Sequence, residues 1–177
     1  GVVLITTKRG KAGDTKIGYS YSHSIQTPPK RQEVLNLRQY AQMENEYHEI
    51  AGGRSPEAFL DPSLLGEGTD WQKELFRNSL MKKHQLSLSG GSEKTQYYIS
   101  GELFDQEGVA LGSDFKRYSA QLNLENKPRE WISFGTNLNF NQTKDILTAT
   151  QENVISNALT LTPQVPVRNF DGTYGGT

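Results

Sequence analysis

Trp131-Ile-Ser-Phe-Gly-Thr-Asn-Leu-Asn-Phe-Asn-Gln142 decides the fold. Ile132, Phe134, Leu138 and Phe140 take every second position, with Thr136 the weak member. Ser133, Gly135, Asn137, Asn139 and Asn141 take the positions between. A period of two puts alternate side chains on opposite faces of a strand. A soluble sheet exposes charged and polar residues on its wet face, but here that face is small, polar and uncharged. Such a strand suits a wall with hydrocarbon or core on one side and a wet, crowded interior on the other.

The pattern recurs. Ile17, Tyr19, Tyr21, His23 and Ile25 oppose Gly18, Ser20, Ser22 and Ser24 within Thr15–Gln26. His84, Leu86 and Leu88 oppose Gln85, Ser87 and Ser89. In Thr95–Asp105, Tyr97, Ile99 and Leu103 oppose Tyr98, Ser100 and Glu102, a less purely uncharged face. Tyr118, Ala120, Leu122 and Leu124 oppose Ser119, Gln121 and Asn123. Five strands of about ten residues match the length of a tilted strand crossing a bilayer core. The expected class is all-β, a partial antiparallel transmembrane barrel wall, with short helices in an outer loop.

Composition agrees. Leu, Ile, Val and Phe supply 40 of 177 residues, close to the roughly 20% level at which a packed core fails. Disorder also wants high net charge, whereas the net charge here is −1 and the chain holds 17 aromatics. Near-neutral charge gives no electrostatic footprint for nucleic acid. The absence of cysteine removes disulfide and thiolate chemistry. No apolar run is long enough for a transmembrane helix, which says nothing against a barrel. The first residue is Gly1 and the last stretch is Asp171-Gly-Thr-Tyr-Gly-Gly-Thr177, so the chain reads as an excerpt of a longer polypeptide.

Between strands the period changes. Val2-Val3-Leu4-Ile5 lacks alternation and is expected as a strand buried on both faces. Lys8–Asp14 is a polar, Gly-containing connector, and Pro28-Pro29 ends the first strand. Leu37, Tyr40, Ala41, Tyr47 and Ile50 fall at helical spacing; Asn36 with Gln39 forms a capping box, and Gly52-Gly53 forms the stop. Thr69-Asp-Trp-Gln72 predicts a second capping box opening a helix to about Arg77. A short helix is expected near Asn153–Thr160. The connections at 27–83 and 106–116 are long or medium, and those at 90–94 and 126–130 are short. Barrels keep short turns on the periplasmic side and long loops outside.

In order and spacing these segments resemble SusC/RagA-type TonB-dependent outer-membrane transporters of Bacteroidetes. The similar segments are Gly-Val-Val-Leu-Ile-Thr-Thr-Lys-Arg-Gly10, Tyr19-Ser-Tyr-Ser22, Leu35-Asn-Leu-Arg-Gln-Tyr-Ala41 and Thr69–Gln72. They continue with residues 84–91, 97–101, 105–108, 117–124 and 135–140. The resemblance covers roughly residues 1–145. It implies that residues 1–10 end a plug domain, 11–14 connect, and 15–177 begin the barrel. The TonB-box segment, most of the plug and most of the barrel lie outside such a fragment. It further implies outer-membrane import of an oligosaccharide or peptide, a SusD-like surface lipoprotein as partner, and energy from TonB acting through regions outside this fragment.

Candidates for chemistry reduce to structural roles. His23, His48 and His84 lack metal-ligand spacing. Glu44/Glu46 and Glu67/Asp70 read as a solvated helix face and a helix cap rather than glycosidase carboxylates, with Asp70 a helix-start residue. Gly90-Gly-Ser-Glu93 is a hairpin turn and Gly10-Lys-Ala-Gly13 is no P-loop. No catalytic, metal, cofactor or substrate residue is assigned, and no enzyme is expected. Tyr19, Tyr21, Tyr97, Tyr118 and Trp131 are read as an aromatic girdle at the membrane interface, the other reading being ordinary cross-strand packing. Trp71 is expected to pack its short helix onto the barrel rim. A soluble β-sandwich that binds carbohydrate is the alternative architecture; it would need charged solvent faces and a second sheet.

Overall fold

The computed structural model describes residues 1–2, 8, 10–28, 30–147 and 153–176. Alternation over five stretches yields five strands: β1 (Gly13–Gln26), β2 (Ser79–Gly91), β3 (Thr95–Glu107), β4 (Asp114–Arg129) and β5 (Ile132–Ile146). They form one antiparallel sheet in chain order. Short connections force the meander from β2 to β5, because a tight turn can only return a strand beside its predecessor, whereas β1 pairs with β2 across the long connection 27–78. In the β2–β3 turn the Ser92 amide donates to Thr95 O at 2.7 Å. Gly91 (φ 144°) leads into that turn, where a Cβ would lie 2.1 Å from the same carbonyl.

Strand boundaries differ from the sequence expectation, most of all at the start of β2 and in the β4–β5 turn. The strands run 13 to 16 residues, and β2 starts at Ser79 rather than His84. Alternation is clean only where one face is apolar, and Lys82 interrupts it while the backbone ladder continues to Ser79. The β4–β5 turn is shorter than residues 126–130, because β4 continues through Pro128 to Arg129. Proline has no N–H to donate, and the pairing shifts register between Asn126 and Arg129.

Two compact units result. The first, Gly1–Gln26, Asn78–Gly108 and Gly112–Leu147, holds the sheet. Of the expected strand Val2–Ile5, Val3–Ile5 lie outside the described residues; Val2 is exposed rather than buried. Pro29 also lies outside them, and β1 ends at Gln26 before Pro28.

The second unit, Thr27–Arg77, Val109–Leu111 and Thr148–Thr177, carries the helices. Helix α1 (Leu37–Ile50) has the expected capping box: the Gln39 amide donates to Asn36 Oδ1, and the Asn36 amide donates to Gln39 Oε1. It stops at Gly52 (φ 69°), where the Gly53 amide donates to His48 O at 2.8 Å. Ala41 is fully buried, and Tyr40 meets Phe59 edge-on at 5.9 Å. Helix α2 (Trp71–Leu75) is capped by Asp70, whose carboxylate accepts from the Lys73 amide at 3.0 Å. The Thr69–Gln72 capping box does not form. Thr69 instead donates to Val165 O, and Gln72 is buried, exchanging two hydrogen bonds with the backbone of Gln32. Helix α3 (Val154–Thr160) lies where the sequence placed it.

Candidate functional site

The register groups side chains into rows on two faces. On the apolar face, Ile17, Leu88, Ile99, Leu122 and Leu138 stand in one row across all five strands. The next row is Tyr19, Leu86, Gly101, Ala120 and Phe140. Beyond it come Tyr21, His84, Leu103, Tyr118 and Gln142. In the other direction Tyr97 pairs with Leu124 and Thr136, and Phe134 pairs with Asn126. An aliphatic band is thus edged by aromatic side chains at both ends. At one edge the Tyr19 hydroxyl is hydrogen-bonded to His84 Nδ1 at 2.8 Å, and the His84 ring lies 4.7 Å from that of Tyr21.

Nothing among the described residues covers this band. Phe134 is 62% exposed, and Leu138 and Phe140 are each 58% exposed. A contiguous apolar surface of this extent marks an interaction with lipid or another protein. The β-sandwich alternative needs a second sheet over these side chains, and the described residues form a single sheet.

The opposite face is polar. Gly18, Ser87, Ser100, Gln121 and Asn139 share a row; Ser20, Gln85, Glu102, Ser119 and Asn141 share the next. Lys8 and Gly10 lie on this face. Asn123 Nδ2 donates to Lys8 O at 2.6 Å. Gly10 is buried so closely that a Cβ would lie 2.4 Å from Tyr97 O. Tyr98, also on this face, is only 6% exposed.

A scan against protein-family profiles finds no match. Curated relatives do match over nearly the whole chain. The TonB-dependent receptor SusC of Bacteroides thetaiotaomicron is 31% identical over 98% of this chain. TonB-dependent receptor P3 of Formosa agariphila is 29% identical over 98% of it. The chain is related to the SusC/RagA-type TonB-dependent transporters. It spans 17% of the length of each of those two relatives. Among solved structures, the RagAB peptide importer in its open-open state superposes with a TM-score of 0.64 at 28% identity, over 78% of this chain and 19% of that one. The closed-closed state gives a TM-score of 0.69 over 95% of this chain and 22% of that one; at 24% identity it speaks for the fold alone.

TonB-dependent receptors are outer-membrane proteins, and the relatives are receptors and transporters, not enzymes. The singled-out residues take the following places in the structure. Tyr19, Tyr21, Tyr97 and Tyr118 are all on the apolar face, in or beside its edge rows. Trp131 is 80% exposed in the β4–β5 turn. His84 joins the aromatic edge, and His23 stands one row further out, opposite Lys82. His48 faces Glu44 across one helical turn at 3.8 Å. Asp70 caps α2 and pairs with Arg31 at 3.1 Å, so Glu67/Asp70 is no carboxylate dyad. No cluster of three or more metal-ligating side chains exists among the described residues. Trp71 is engaged within the loop unit, where its indole donates to Thr162 O at 3.2 Å and it lines cavities of about 530 and 300 Å³.

One polar-face group was only half legible in the sequence. In the sequence Glu102 breaks an otherwise uncharged face; in the structure it is the centre of an ion-pair cluster. Its two oxygens accept from Lys83 Nζ on β2 and Arg117 Nη2 on β4, both at 2.8 Å. The Arg117 guanidinium also lies over the Phe104 ring at 5.3 Å. The glutamate side chain is 16% exposed. Lys83 and Arg117 lie in one row on either side of Phe104, a register no local pattern reports.

Proposed function

We propose that this chain forms the first wall strands of a transmembrane β-barrel, with residues 1–10 the end of a plug domain, 11–14 a connector and 15–177 the start of the barrel. The whole protein imports an oligosaccharide or peptide across the outer membrane. A SusD-like lipoprotein closes it from outside, and TonB supplies energy through regions outside this chain. The observation that carries the reading is the uncovered apolar band, edged by tyrosines and backed by a face of Ser, Asn, Gln and Gly. Hydrocarbon is the solvent that makes such a band favourable, and an enclosed aqueous lumen suits its polar reverse. Contacts of Lys8 and Gly10 with that reverse face support a plug entering from the lumen. A peptide as substrate has the support of one relative, the RagAB peptide importer.

The test uses the full-length protein with its signal sequence. It should fractionate with the outer membrane and show heat-modifiable gel mobility. Single cysteines at Leu138 and Asn139 should report a lipid-soluble and a water-soluble maleimide, respectively. Uptake of a labelled peptide or oligosaccharide should vanish when TonB or the neighbouring lipoprotein is deleted. Recovery as a compact soluble monomer would end the barrel reading.

A further inference from the structure

The apolar face does not end at its tyrosines. One row beyond Tyr21, His84 and Tyr118, away from the short turns, stand His23, Lys82, Asp105, Lys116 and Lys144, one from each strand in direct register. At about 4.8 Å between strands the row spans roughly 19 Å. The three lysines and His23 are all exposed. Lys116 Nζ is paired with Asp105 Oδ2 at 3.2 Å, which leaves Lys82 and Lys144 unpaired among the described residues. Further out Ile25 pairs with Leu80, and Asp114 stands between Glu107 and Ile146, so there the face turns acidic. The cations therefore form one band, a single row deep, directly outside the aromatic edge. At the opposite edge the rows of Tyr97, Leu124 and Thr136 and of Asn126 and Phe134 carry no charge, and the row beyond Phe134 holds a single cation, Arg129 opposite Ile132, against three lysines here.

This asymmetry has a physical reading. Lysine stems lie along apolar surface while their ammonium groups reach polar surroundings. Aromatic side chains at an interface mark the level of lipid headgroups. Charges on the lipid face immediately beyond that level meet headgroup phosphates. We propose that the row of Lys82, Lys116 and Lys144, with His23, binds the phosphates of outer-leaflet lipids on the outer surface of the barrel. The proposal rests on the barrel-wall reading, and on the long connection 27–78 lying at the outer end of the strands.

The test is lipid retention by the full-length transporter. Wild type and variants are exchanged into nanodiscs of phosphatidylcholine containing one-fifth phosphatidylglycerol, extracted with mild detergent, and assayed for retained phosphatidylglycerol. Each lysine near an anionic lipid surface contributes roughly a fivefold preference, so Lys82→Gln with Lys144→Gln should lower retention at least fivefold. Asp105→Asn releases Lys116 and should raise it. That opposite sign is one that general unfolding cannot produce. Heat-modifiable mobility of each variant is recorded in parallel. A mobility that never shifts refutes the barrel itself, whereas a normal shift with unchanged retention overturns only the lipid site. Displacement of the lipid by millimolar inorganic phosphate would make the row a site for soluble anions, and would equally overturn the proposal.

Discussion

Leu138→Arg and its neighbour Asn139→Arg give the sharpest test of the two-faced wall. Leu138 lies midway along the apolar stretch of β5, four residues from Phe134 and four from Gln142, which stands in the Tyr118 row. At about 3.4 Å per residue the stretch between those rows is about 27 Å along the strand, or about 21 Å deep at a tilt of about 40°. That approaches the ~25 Å apolar band of a membrane barrel, and it places Leu138 near the midplane. Arginine there costs about 2–4 kcal/mol, a roughly 30- to 700-fold loss in the folding equilibrium. Were the sheet in water, the same change at a 58% exposed side chain would fall within about 0.5 kcal/mol of neutral. Asn139 is one residue on, has the same ladder environment, and faces the polar side; its replacement should stay near neutral. The assay is folding of the full-length protein into phosphatidylcholine vesicles, read as the folded band on an unheated gel across a urea series. Equal effects at the two positions, or a larger one at Asn139, would refute the assignment of faces.

Three further outcomes follow from local geometry. Gly10→Ala puts a Cβ 2.4 Å from Tyr97 O and 2.5 Å from its N, both backbone atoms. The entering segment must lift, breaking the Asn123–Lys8 hydrogen bond, so trypsin should cut at Lys8 or Lys11 several-fold faster; an unchanged digest contradicts the packing. Asn36→Ala removes the α1 capping box at about 1 kcal/mol, and hydrogen exchange should quicken in the first turn of α1 while α2, capped by Asp70, is unaffected. Burial, and then the Glu44 side chain, raise the Tyr40 phenol above its ordinary value of 10.0. The folded state thus favours the neutral form, so this contribution is complete below the ordinary value and is lost as pH rises through the folded one. Protection of α1 amides should fall on that alkaline limb, and Tyr40→Phe should flatten the fall; an identical profile would sink the assignment.

The alternation was legible because each strand has two solvents, and a residue's face follows from its parity alone. Helix α1 was legible because its cap is local: Asn36 and Gln39 are three residues apart and satisfy each other. What escaped depends on partners far along the chain. Thr69 and Asp70 are equally good N-caps on paper, and Asp70 takes the role because Thr69 donates to Val165 O across the loop unit. The partner of the Trp71 indole, Thr162 O, lies more than ninety residues on. The Glu102 cluster needs the registers of β2 with β3 and of β3 with β4 together before Lys83 and Arg117 are seen to share one carboxylate. Strand ends were missed for a different reason. Past the aromatic edge neither face is apolar, so the period-two signal fades at Lys82 while the hydrogen-bond ladder runs on to Ser79.

The chemistry of the polar face follows from what has to lie on it. If residues 1–10 end a plug, the wall must accept a peptide backbone at some times and water at others. A lysine or glutamate covered by that backbone would sit as an unpaired, partly desolvated charge, at a cost of several kcal/mol. An asparagine has a donor and an acceptor on one short stem, so it can meet a carbonyl, an amide or water with equal ease. Asn123 does the first of these, donating to Lys8 O, while its own Oδ1 is buried with no hydrogen-bond partner among the described residues. Asn139 instead donates to Asn137 along its own strand at 2.7 Å. At Glu102 the carboxylate is held within the wall by Lys83 and Arg117 from the two neighbouring strands, a trio that keeps one positive charge in excess. A neutral, small and bifunctional lining is therefore what a surface that is alternately packed and wet requires, and the substitution that breaks this rule most directly is Asn123→Asp. It would set a carboxylate against the Lys8 carbonyl, removing the donor and adding like partial charge. Release of the Lys8–Gly10 segment, read as faster trypsin cleavage there than in Asn123→Ser, is the expected result; equal cleavage in the two variants would show that charge plays no part in the choice of asparagine.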